Sequence, residues 1–205
     1  MKKLATFTLP LLLLAAVVIL LTIFGDQSEK RGFQIAPMEL TADQWELMDL
    51  LSHPGREILL FEYQLDETFD RIELWVEVYH YGELQETPIN LQMLGFGGVG
   101  LTEGRVVITI QQTQNHMFQW MLQTAGGSAH NSEPWSPSVN YLAWAFGPIT
   151  EPVQIEDGQV IVLYTSIFSS SGVLSTFTDK QIYLEGPELL AQYPYVHMIL
   201  ARFSR

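Results

Sequence analysis

The stretch RIELWVEVYHYGEL, residues 71–84, carries the clearest structural signal in this chain of 205 residues. Every second position from 72 onwards is apolar, namely Ile72, Leu74, Val76 and Val78. The positions between them are charged or aromatic, namely Glu73, Trp75, Glu77 and Tyr79. Because successive side chains of a strand point to opposite faces, the alternation predicts a β-strand with one face in an apolar core.

Stretches of the same kind lie on both sides of this strand. They are rich in β-branched and aromatic residues and cover residues 57–65, 105–112, 116–124, 141–147, 159–168 and 195–203. Turn residues separate them, and the pair Asp157-Gly158 predicts a hairpin. Many short strands without helices between them predict an antiparallel β-sandwich, so we expect a mainly β fold.

Two short segments predict helices. In ELTADQWELMDLLSHPG, residues 39–55, Thr41 and Gln44 have the spacing of a capping box. The apolar stripe expected to face the core consists of Leu47, Leu50 and Leu51. The second segment is GPELLAQYP, residues 186–194, with one proline suited to a first helical turn and another that ends the helix. We therefore expect one short N-terminal amphipathic helix and a short helix near the C-terminus.

The N-terminus predicts a membrane anchor. No charged residue occurs over residues 4–24, and a helix of that length would span about 31 Å, close to the hydrocarbon thickness of a bilayer. Lys2 and Lys3 precede it, as expected for an end that stays in the cytoplasm. A cleaved signal peptide has a shorter apolar core and a small-x-small cleavage site, so an uncleaved anchor is favoured over a cleaved leader. We expect the β-sandwich to be preceded by a single transmembrane helix.

This anchor divides the chain into four expected parts. They are a cytoplasmic N-terminus at 1–3, a transmembrane anchor at 4–24, a linker at 25–37 and an extracytoplasmic β-sandwich domain at 38–205. The predicted location is the cell membrane, with a single pass and the C-terminal domain outside the cytoplasm. Lys30 and Arg31 lie just after the span, so a cytosolic domain is the alternative orientation.

The chain after Gly32 is strongly acidic, with six basic and 21 acidic residues and hence a formal balance of −15. Such a domain repels phosphate backbones, so we expect no nucleic acid partner. The chain has no cysteine, which excludes disulfides, thiolate metal sites and a cysteine nucleophile. The five histidines lack an H-x-x-x-H pair and predict no metal site. His80 and His197 are expected to be surface residues or hydrogen-bonded sheet residues.

The stretch LGFGGVG, residues 94–100, contains the G-x-G-x-x-G spacing of a dinucleotide-binding turn. That turn needs a helix after the glycines, because the helix N-terminus holds the pyrophosphate. Here a turn and a strand follow, and no acidic residue stands about 20 positions on to bind a ribose. We expect a glycine-rich bend, with no nucleotide and no cofactor.

The predicted binding surface is the polar segment TAGGSAHNSEPWSPSV, residues 124–139, which is long for a hairpin connection. An exposed Trp135, with Glu133 and His130 nearby, would stack on a sugar ring or anchor a protein partner. In the alternative interpretation, Trp135 folds back and plugs the end of the sandwich. The tryptophans that lie in predicted strands, and are expected in the core, are Trp75, Trp120 and Trp144.

The order of these segments resembles that of uncharacterised membrane- or lipid-anchored extracytoplasmic β-sandwich proteins of Gram-positive bacteria. The resemblance rests on the apolar anchor and on ELTADQWELMDLLS, RIELWVEVYHYGEL and GPELLAQYPYVHMILARF. It implies an anchored exterior domain without an assigned activity. A narrower resemblance, in FTLPLLLLAAVVILL at residues 7–21, is to type IV pilin N-termini, although Thr6 and Leu11 stand where Gly and Glu are expected.

These expectations lead to three hypotheses on function. The first is a membrane-anchored, non-catalytic binding or accessory module, attached through residues 4–24, with a protein or glycan ligand at residues 124–139. The second is an extracytoplasmic glycan hydrolase that uses a pair of its many carboxylates. The third is a type IV pilin-like subunit.

Overall fold

The computed structural model of the chain describes residues 33–52, 55–65, 69–94, 102–112, 117–131, 135, 143–172 and 186–205. The strands that these residues form are β1 Gln34–Pro37, β2 Arg56–Gln64, β3 Arg71–His80, β4 Glu83–Leu94, β5 Glu103–Gln112, β6 Phe118–Thr124, β7 Gly127–His130, β8 Ala143–Pro148, β9 Val153–Gln154, β10 Val160–Ser169 and β11 Tyr195–Ser204. The helices are α1 Ala42–Leu51 and α2 Pro187–Leu190. The predicted strands are present and most of their ends are shifted by one or two residues, but the stretch 71–84 contains the end of β3 at His80 and the start of β4 at Glu83. Strands β1, β4, β7 and β9 were not predicted.

The strands form two sheets. The first sheet has the order β7-β6-β5-β2-β1-β9, and the second has the order β4-β3-β11-β10-β8. Neighbouring strands run antiparallel throughout both sheets. The predicted mainly β, antiparallel, sandwich-like architecture is therefore confirmed.

A single apolar core takes side chains from both sheets. From the second sheet it contains the alternating row of β3, namely Ile72, Leu74, Val76 and Val78. From the first sheet it contains Phe61, Val106, Ile108, Trp120 and Leu122. All of these side chains are almost completely buried. Burial of this kind contributes about 25 cal/mol for each Å² of apolar surface removed from water, and it is the main force that holds the sheets together.

The outer face of the second sheet carries another apolar cluster. It consists of Val162, Ile167, Leu190, Tyr193, Val196, Met198 and Leu200. Leu190 belongs to α2 and Tyr193 follows that helix, so this short segment packs on β10 and β11. Strand β11 is therefore buried on both faces, which explains why YVHMILARF is apolar almost throughout instead of alternating.

Glu73 is a buried charge on β3. Its carboxylate pairs with Arg71 at 2.6 Å and with Arg202 of β11, and Gln92 of β4 donates a hydrogen bond to its Oε1 at 2.9 Å. The Arg202 guanidinium also lies 5.5 Å from the centre of the Trp75 ring. Glu73 thus joins β3 to both of its neighbouring strands, and its charge is compensated as burial requires.

Helix α1 begins with the predicted capping box. Thr41 Oγ1 accepts from the backbone N–H of Gln44, and Gln44 Oε1 accepts from the backbone N–H of Thr41. The predicted leucine stripe is wrong in part, because Met48 is the buried residue of the helix whereas Leu50 is 78% exposed. Two residues correspond to about 200° around a helix, so Leu50 lies opposite the face that Met48 buries.

Two turns define how the strands connect. Between β3 and β4, Tyr81 and Gly82 have φ angles of 48° and 82°, as a type I′ hairpin turn requires. Asp157 and Gly158 also form a turn, in which Gln159 N donates to Glu156 O at 3.1 Å. The hairpin predicted there is wrong, because this turn joins β9 of the first sheet to β10 of the second. A turn motif specifies that the chain reverses its direction locally, but it does not specify which strands pair with each other.

The predicted fold also contained a transmembrane helix before the sandwich, and this component is wrong. In the part of the chain that the structure describes, no helix is long and apolar enough to cross a membrane. The longer helix, α1, has 10 residues, about half of what a bilayer requires. The segment 4–24, on which that prediction rested, lies outside the described residues.

Two other predicted segments border described strands. Strand β1 lies within the predicted linker 25–37 and pairs with β2 and β9, although four residues ending in proline give little strand signal. The glycines at 95–100 lie outside the described residues. Strand β5 follows them in the first sheet, as the prediction of a strand required, and the chain changes sheets between Leu94 and Glu103.

Candidate functional site

The structure describes two of the three residues of the predicted loop site, and these two differ in their burial. His130 is the last residue of β7, pairs with Met121 of β6 and is exposed. Glu133 lies outside the described residues. Trp135 is partly buried and forms an isolated bridge with Phe118, in which Trp135 N donates to Phe118 O at 2.8 Å and Phe118 N donates to Trp135 O at 2.6 Å.

The ring of Trp135 packs against the end of the core. Its centroid lies 4.5 Å from that of His197 and 5.2 Å from that of Tyr195, in near-perpendicular arrangements. The rings of Phe118 and Trp120 lie 6.4 and 6.2 Å away. Trp135 is therefore folded back, as in the alternative interpretation of the sequence, and does not stand free in solvent. The binding role of His130, Glu133 and Trp135 stays a prediction.

Asn131, which follows β7 in the same segment, is hydrogen-bonded to β6. Its buried side chain accepts from Trp120 N through Oδ1 at 2.8 Å and donates to Phe118 O through Nδ2 at 3.2 Å. Together with the Trp135 bridge, these bonds attach Asn131 and Trp135 to β6. An asparagine in a polar loop gives no sequence signal for such a buried role.

His197 lies at the centre of this aromatic cluster and is fully buried. Its neighbours are the rings of Phe118, Trp120, Trp135 and Phe168. Neither ring nitrogen has a hydrogen-bond partner within the described ranges. Burial lowers the pKa of His197 to about 3, so the imidazole is neutral near pH 7. The prediction of a surface or hydrogen-bonded histidine at 197 is wrong, because the sheet directs this side chain into the core.

A second region, which we call the edge cleft, opens between the two sheets and has a volume of about 210 Å³. The first sheet and the residue just before β2 contribute Gly55, Arg56, Glu57, Ile110, Gln112 and Phe118 to the lining. Its lining from the second sheet is Trp144, Phe146 and Tyr164. The cleft is therefore lined by aromatic residues together with one acidic residue, one arginine, one glutamine and one tyrosine.

The topology explains why two aromatic rings border this cleft. Strand β8 is the edge strand of the second sheet, and Trp144 and Phe146 lie opposite Phe168 and Ser166 of β10. Directly opposite residues of antiparallel strands share a face, so both rings lie on the face that carries the core residue Phe168. At this edge they remain 42% and 50% exposed, with centroids 5.0 Å apart. The expectation that Trp144 belongs to the core is wrong for this reason.

Glu57 supplies the carboxylate of the cleft. It occupies the row of β2 that continues through Leu59 to the core residue Phe61, where the alternation would place an apolar side chain. Tyr164 Oη donates a hydrogen bond to Glu57 Oε2 at 3.0 Å, and Oε1 has no partner among the described residues. Burial raises the pKa of Glu57, and the hydrogen bond from Tyr164 acts in the opposite direction. Burial and the nearby Glu57 charge both raise the pKa of Tyr164, so the phenol stays protonated and donates.

The residue next to Glu57 is a cation, Arg56, whose guanidinium hydrogen-bonds to β5. Its Nε and Nη2 atoms donate to Gln111 Oε1 at 3.1 and 2.9 Å. Since successive side chains of a strand point to opposite faces, Arg56 and Glu57 lie on opposite faces of β2. Although Arg56 is among the lining residues of the cleft, its guanidinium hydrogen-bonds to Gln111 and forms no ion pair with Glu57 in the described residues.

The cleft is suited to holding a ligand through ring contacts and a fixed hydrogen-bonding group. Glu57 is the one acidic residue among its described lining residues. Across the described ranges, no group of three or more His, Asp or Glu side chains is placed to hold a metal ion. Two sequence signals could have identified the cleft, namely an acid in the apolar row of β2 and two large aromatic residues two apart in a short strand.

Comparison with protein families identifies the family of this chain. The family model of the YgaN domain matches residues 34–196, which covers most of the chain and nearly all of the two sheets. No curated protein and no solved structure gives a significant match. The match extends across both walls of the edge cleft.

Proposed function

The chain belongs to the YgaN domain family, and on that premise we propose that its β-sandwich is a non-catalytic binding module whose ligand occupies the edge cleft. The observation that carries the proposal is the pair of exposed rings, Trp144 and Phe146, beside a cleft with a polar floor. Aromatic residues of this kind dominate the energetics of most recognition surfaces.

The size of the cleft indicates how a ligand would be held. Its 210 Å³ is below the range of about 300–1,000 Å³ that is usual for sites enclosing whole small molecules. A single ring or side chain of a larger ligand fits this space better. The exposed rings would cover one side of that group, and Glu57 and Tyr164 would orient its polar end.

The composition of the cleft favours binding over hydrolysis. Glycoside hydrolysis generally uses two carboxyl groups, about 5–10 Å apart, on either side of the scissile bond. Glu57 is the single acid in the described lining, and its Oε2 already accepts a hydrogen bond from Tyr164. This arrangement suits a group that recognises a ligand rather than one that attacks it.

The place of action that we propose is outside the cytoplasm. The support comes from the sequence, in which residues 4–24 are uncharged and follow Lys2 and Lys3. The resemblance to anchored exterior proteins of Gram-positive bacteria points the same way. Protease treatment of intact cells should digest the domain, and complete protection would place it inside.

The binding proposal is tested with an array of short peptides and oligosaccharides probed with the full chain. We expect wild-type protein to bind a subset of spots and Trp144→Ala to lose them. The matched control is Trp45→Ala, because Trp45 is 57% exposed on α1 and is not part of the cleft. A thermal unfolding curve for each variant separates lost binding from lost folding. If Trp144→Ala binds the same spots as wild type, the edge cleft is not the binding surface.

The predicted loop site, with His130, Glu133 and Trp135, is the competing surface. The same array distinguishes the two, since His130→Ala changes an exposed residue of the loop. Loss of binding in His130→Ala with retention in Trp144→Ala would move the site to residues 124–139.

A further inference from the structure

We propose that the edge cleft selects ligands that carry an alkylammonium group, as in a lysine side chain or a free amine. This inference rests on the proposed binding function and names the chemistry of its ligand. The juxtaposition that carries it is the open carboxylate oxygen of Glu57 beside the exposed rings of Trp144 and Phe146.

The first element is an anion with one free acceptor. Glu57 Oε2 accepts from Tyr164 Oη, which holds the carboxylate in one orientation, and Oε1 has no partner in the described part of the chain. An ammonium group has donors only, so it matches a carboxylate oxygen and gains a charge-assisted hydrogen bond. Partial burial of Glu57 strengthens this attraction because solvent screens it less than at the surface.

The second element is the aromatic wall. A cation over the face of an aromatic ring is attracted by the ring's quadrupole, and tryptophan gives the strongest attraction of the three aromatic residues. Trp144 and Phe146 lie 5.0 Å apart by ring centroids, and Phe146 stacks at 6.3 Å on Tyr164. The methylene groups of an alkyl chain would pack on the same rings. One ligand group can therefore use both the anion and the rings.

The third element is the charge around the cleft. The one cation among the lining residues, Arg56, donates two hydrogen bonds to Gln111 and forms no ion pair with Glu57 in the described residues. The chain after Gly32 carries a formal balance of −15, which attracts cations from a distance and repels carboxylates and phosphates. A neutral sugar could stack on the rings, but it would gain nothing from this charge. The observations favour the cationic ligand over the neutral one.

The experiment titrates the full chain with three small probes in a calorimeter at about pH 8, where an alkylammonium group is still charged and a carboxyl group is ionised. The first probe is a blocked tripeptide with lysine between two glycines, and the second replaces that lysine with norleucine, which keeps the alkyl chain and removes the charge. The third is n-butylammonium, which presents the group without a peptide. We expect the lysine peptide to bind at least about tenfold more tightly than the norleucine peptide.

The variants isolate the carboxylate. Glu57→Gln should weaken binding of the lysine peptide by at least about tenfold, because it removes the charge and keeps the shape. The matched control is Glu83→Gln, an exposed acid on β4 at the opposite edge of the second sheet, which lowers the net charge equally. We expect this control to stay within about twofold of wild type, since long-range charge is screened in salt. Unfolding curves verify that both variants fold.

The outcomes separate the two proposals. Equal affinity for n-butylammonium and the lysine peptide indicates that a free amine suffices, and tighter binding of the peptide indicates a peptide-borne lysine; both support the inference. Equal affinity for the lysine and norleucine peptides, or an unchanged affinity in Glu57→Gln, overturns it. If array binding that depends on Trp144 persists in that case, only the ligand class is wrong. If no such binding exists, the binding function fails as well.

Discussion

Trp135 contacts four aromatic rings at the end of the core, and the nearest is His197 at 4.5 Å between centroids. Its removal would leave a cavity lined by Phe118, Trp120 and Tyr195. We predict that Trp135→Ala lowers the free energy of unfolding by about 2–3 kcal/mol, less than for a fully buried tryptophan because the ring is partly exposed. Urea unfolding measures this value, and an effect as small as that of Trp45→Ala would contradict the packing described.

His197 makes stability depend on pH. Its pKa is about 3 in the folded chain and about 6.5 when unfolded, so the unfolded state binds more protons between these values. The stabilisation is complete above about pH 6.5 and is lost as the pH falls towards 3. We predict that this residue alone removes about 2 kcal/mol between pH 7 and pH 5.

The matched measurement is urea unfolding of wild type and His197→Phe at both pH values. The variant should lose about 2 kcal/mol less than wild type over this interval, because it has no group to protonate. His197→Gln provides a second uncharged replacement if the larger ring does not fit. An identical pH dependence in wild type and both variants would show that His197 is not held neutral.

At the scale of single elements, the β3–β4 turn contains a side chain in an unfavourable conformation. Tyr81 has a φ of 48°, which costs a residue with a Cβ about 1–2 kcal/mol, and its ring regains part of this against His80 at 4.8 Å. Asparagine is the preferred residue before glycine in a type I′ turn. We predict that Tyr81→Asn raises the free energy of unfolding by about 0.5–1 kcal/mol.

The matched variant in the same turn is Gly82→Ala. Gly82 has a φ of 82°, so a Cβ there is strained and the free energy of unfolding should fall by about 1 kcal/mol. Opposite signs for the two variants in urea unfolding identify the turn type. A destabilised Tyr81→Asn would mean that the ring contact of Tyr81 outweighs its backbone strain.

The periodicity of apolar residues is sufficient to predict the longer strands. It does not predict which strands pair, because pairing depends on residues that are distant in the sequence. Apolar and polar residues alternate over 71–80 because one face of β3 lies in the core. Strand β11 is apolar almost throughout because both of its faces are buried. Strand β4 is not predicted beyond residue 84, because ELQETPINLQML lacks a regular alternation of apolar and polar residues. Its pairing with β3 also includes register shifts. The edge cleft was missed because exposure of Trp144 depends on how far the opposite sheet reaches, which no local pattern contains.

At the scale of the whole molecule, the acidic balance should weaken the folded state at low ionic strength. The 21 acidic residues after Gly32 repel one another more strongly in the compact chain than in the unfolded one. Raising NaCl from about 10 to 150 mM shortens the screening length from about 30 to 8 Å. We predict a higher urea midpoint at the higher salt concentration.

The ion pairs of Glu73 act in the opposite direction, because salt weakens attraction as well as repulsion. The Glu73 side chain is only 5% exposed, so its pairs with Arg71 and Arg202 are screened less than the surface repulsion. A urea midpoint that falls with added NaCl would show that attraction dominates and would contradict the prediction.

The measurement that tests the central claim most directly follows the indole N–H signals of the five tryptophans by NMR while the lysine tripeptide is added. The account predicts that the signal of Trp144 shifts with saturation, whereas those of Trp45 on α1 and Trp135 at the end of the core do not move. Variants at each tryptophan assign the signals. A shift of Trp135 without a shift of Trp144 would place the ligand at residues 124–139 and contradict the assignment of the edge cleft as the binding site.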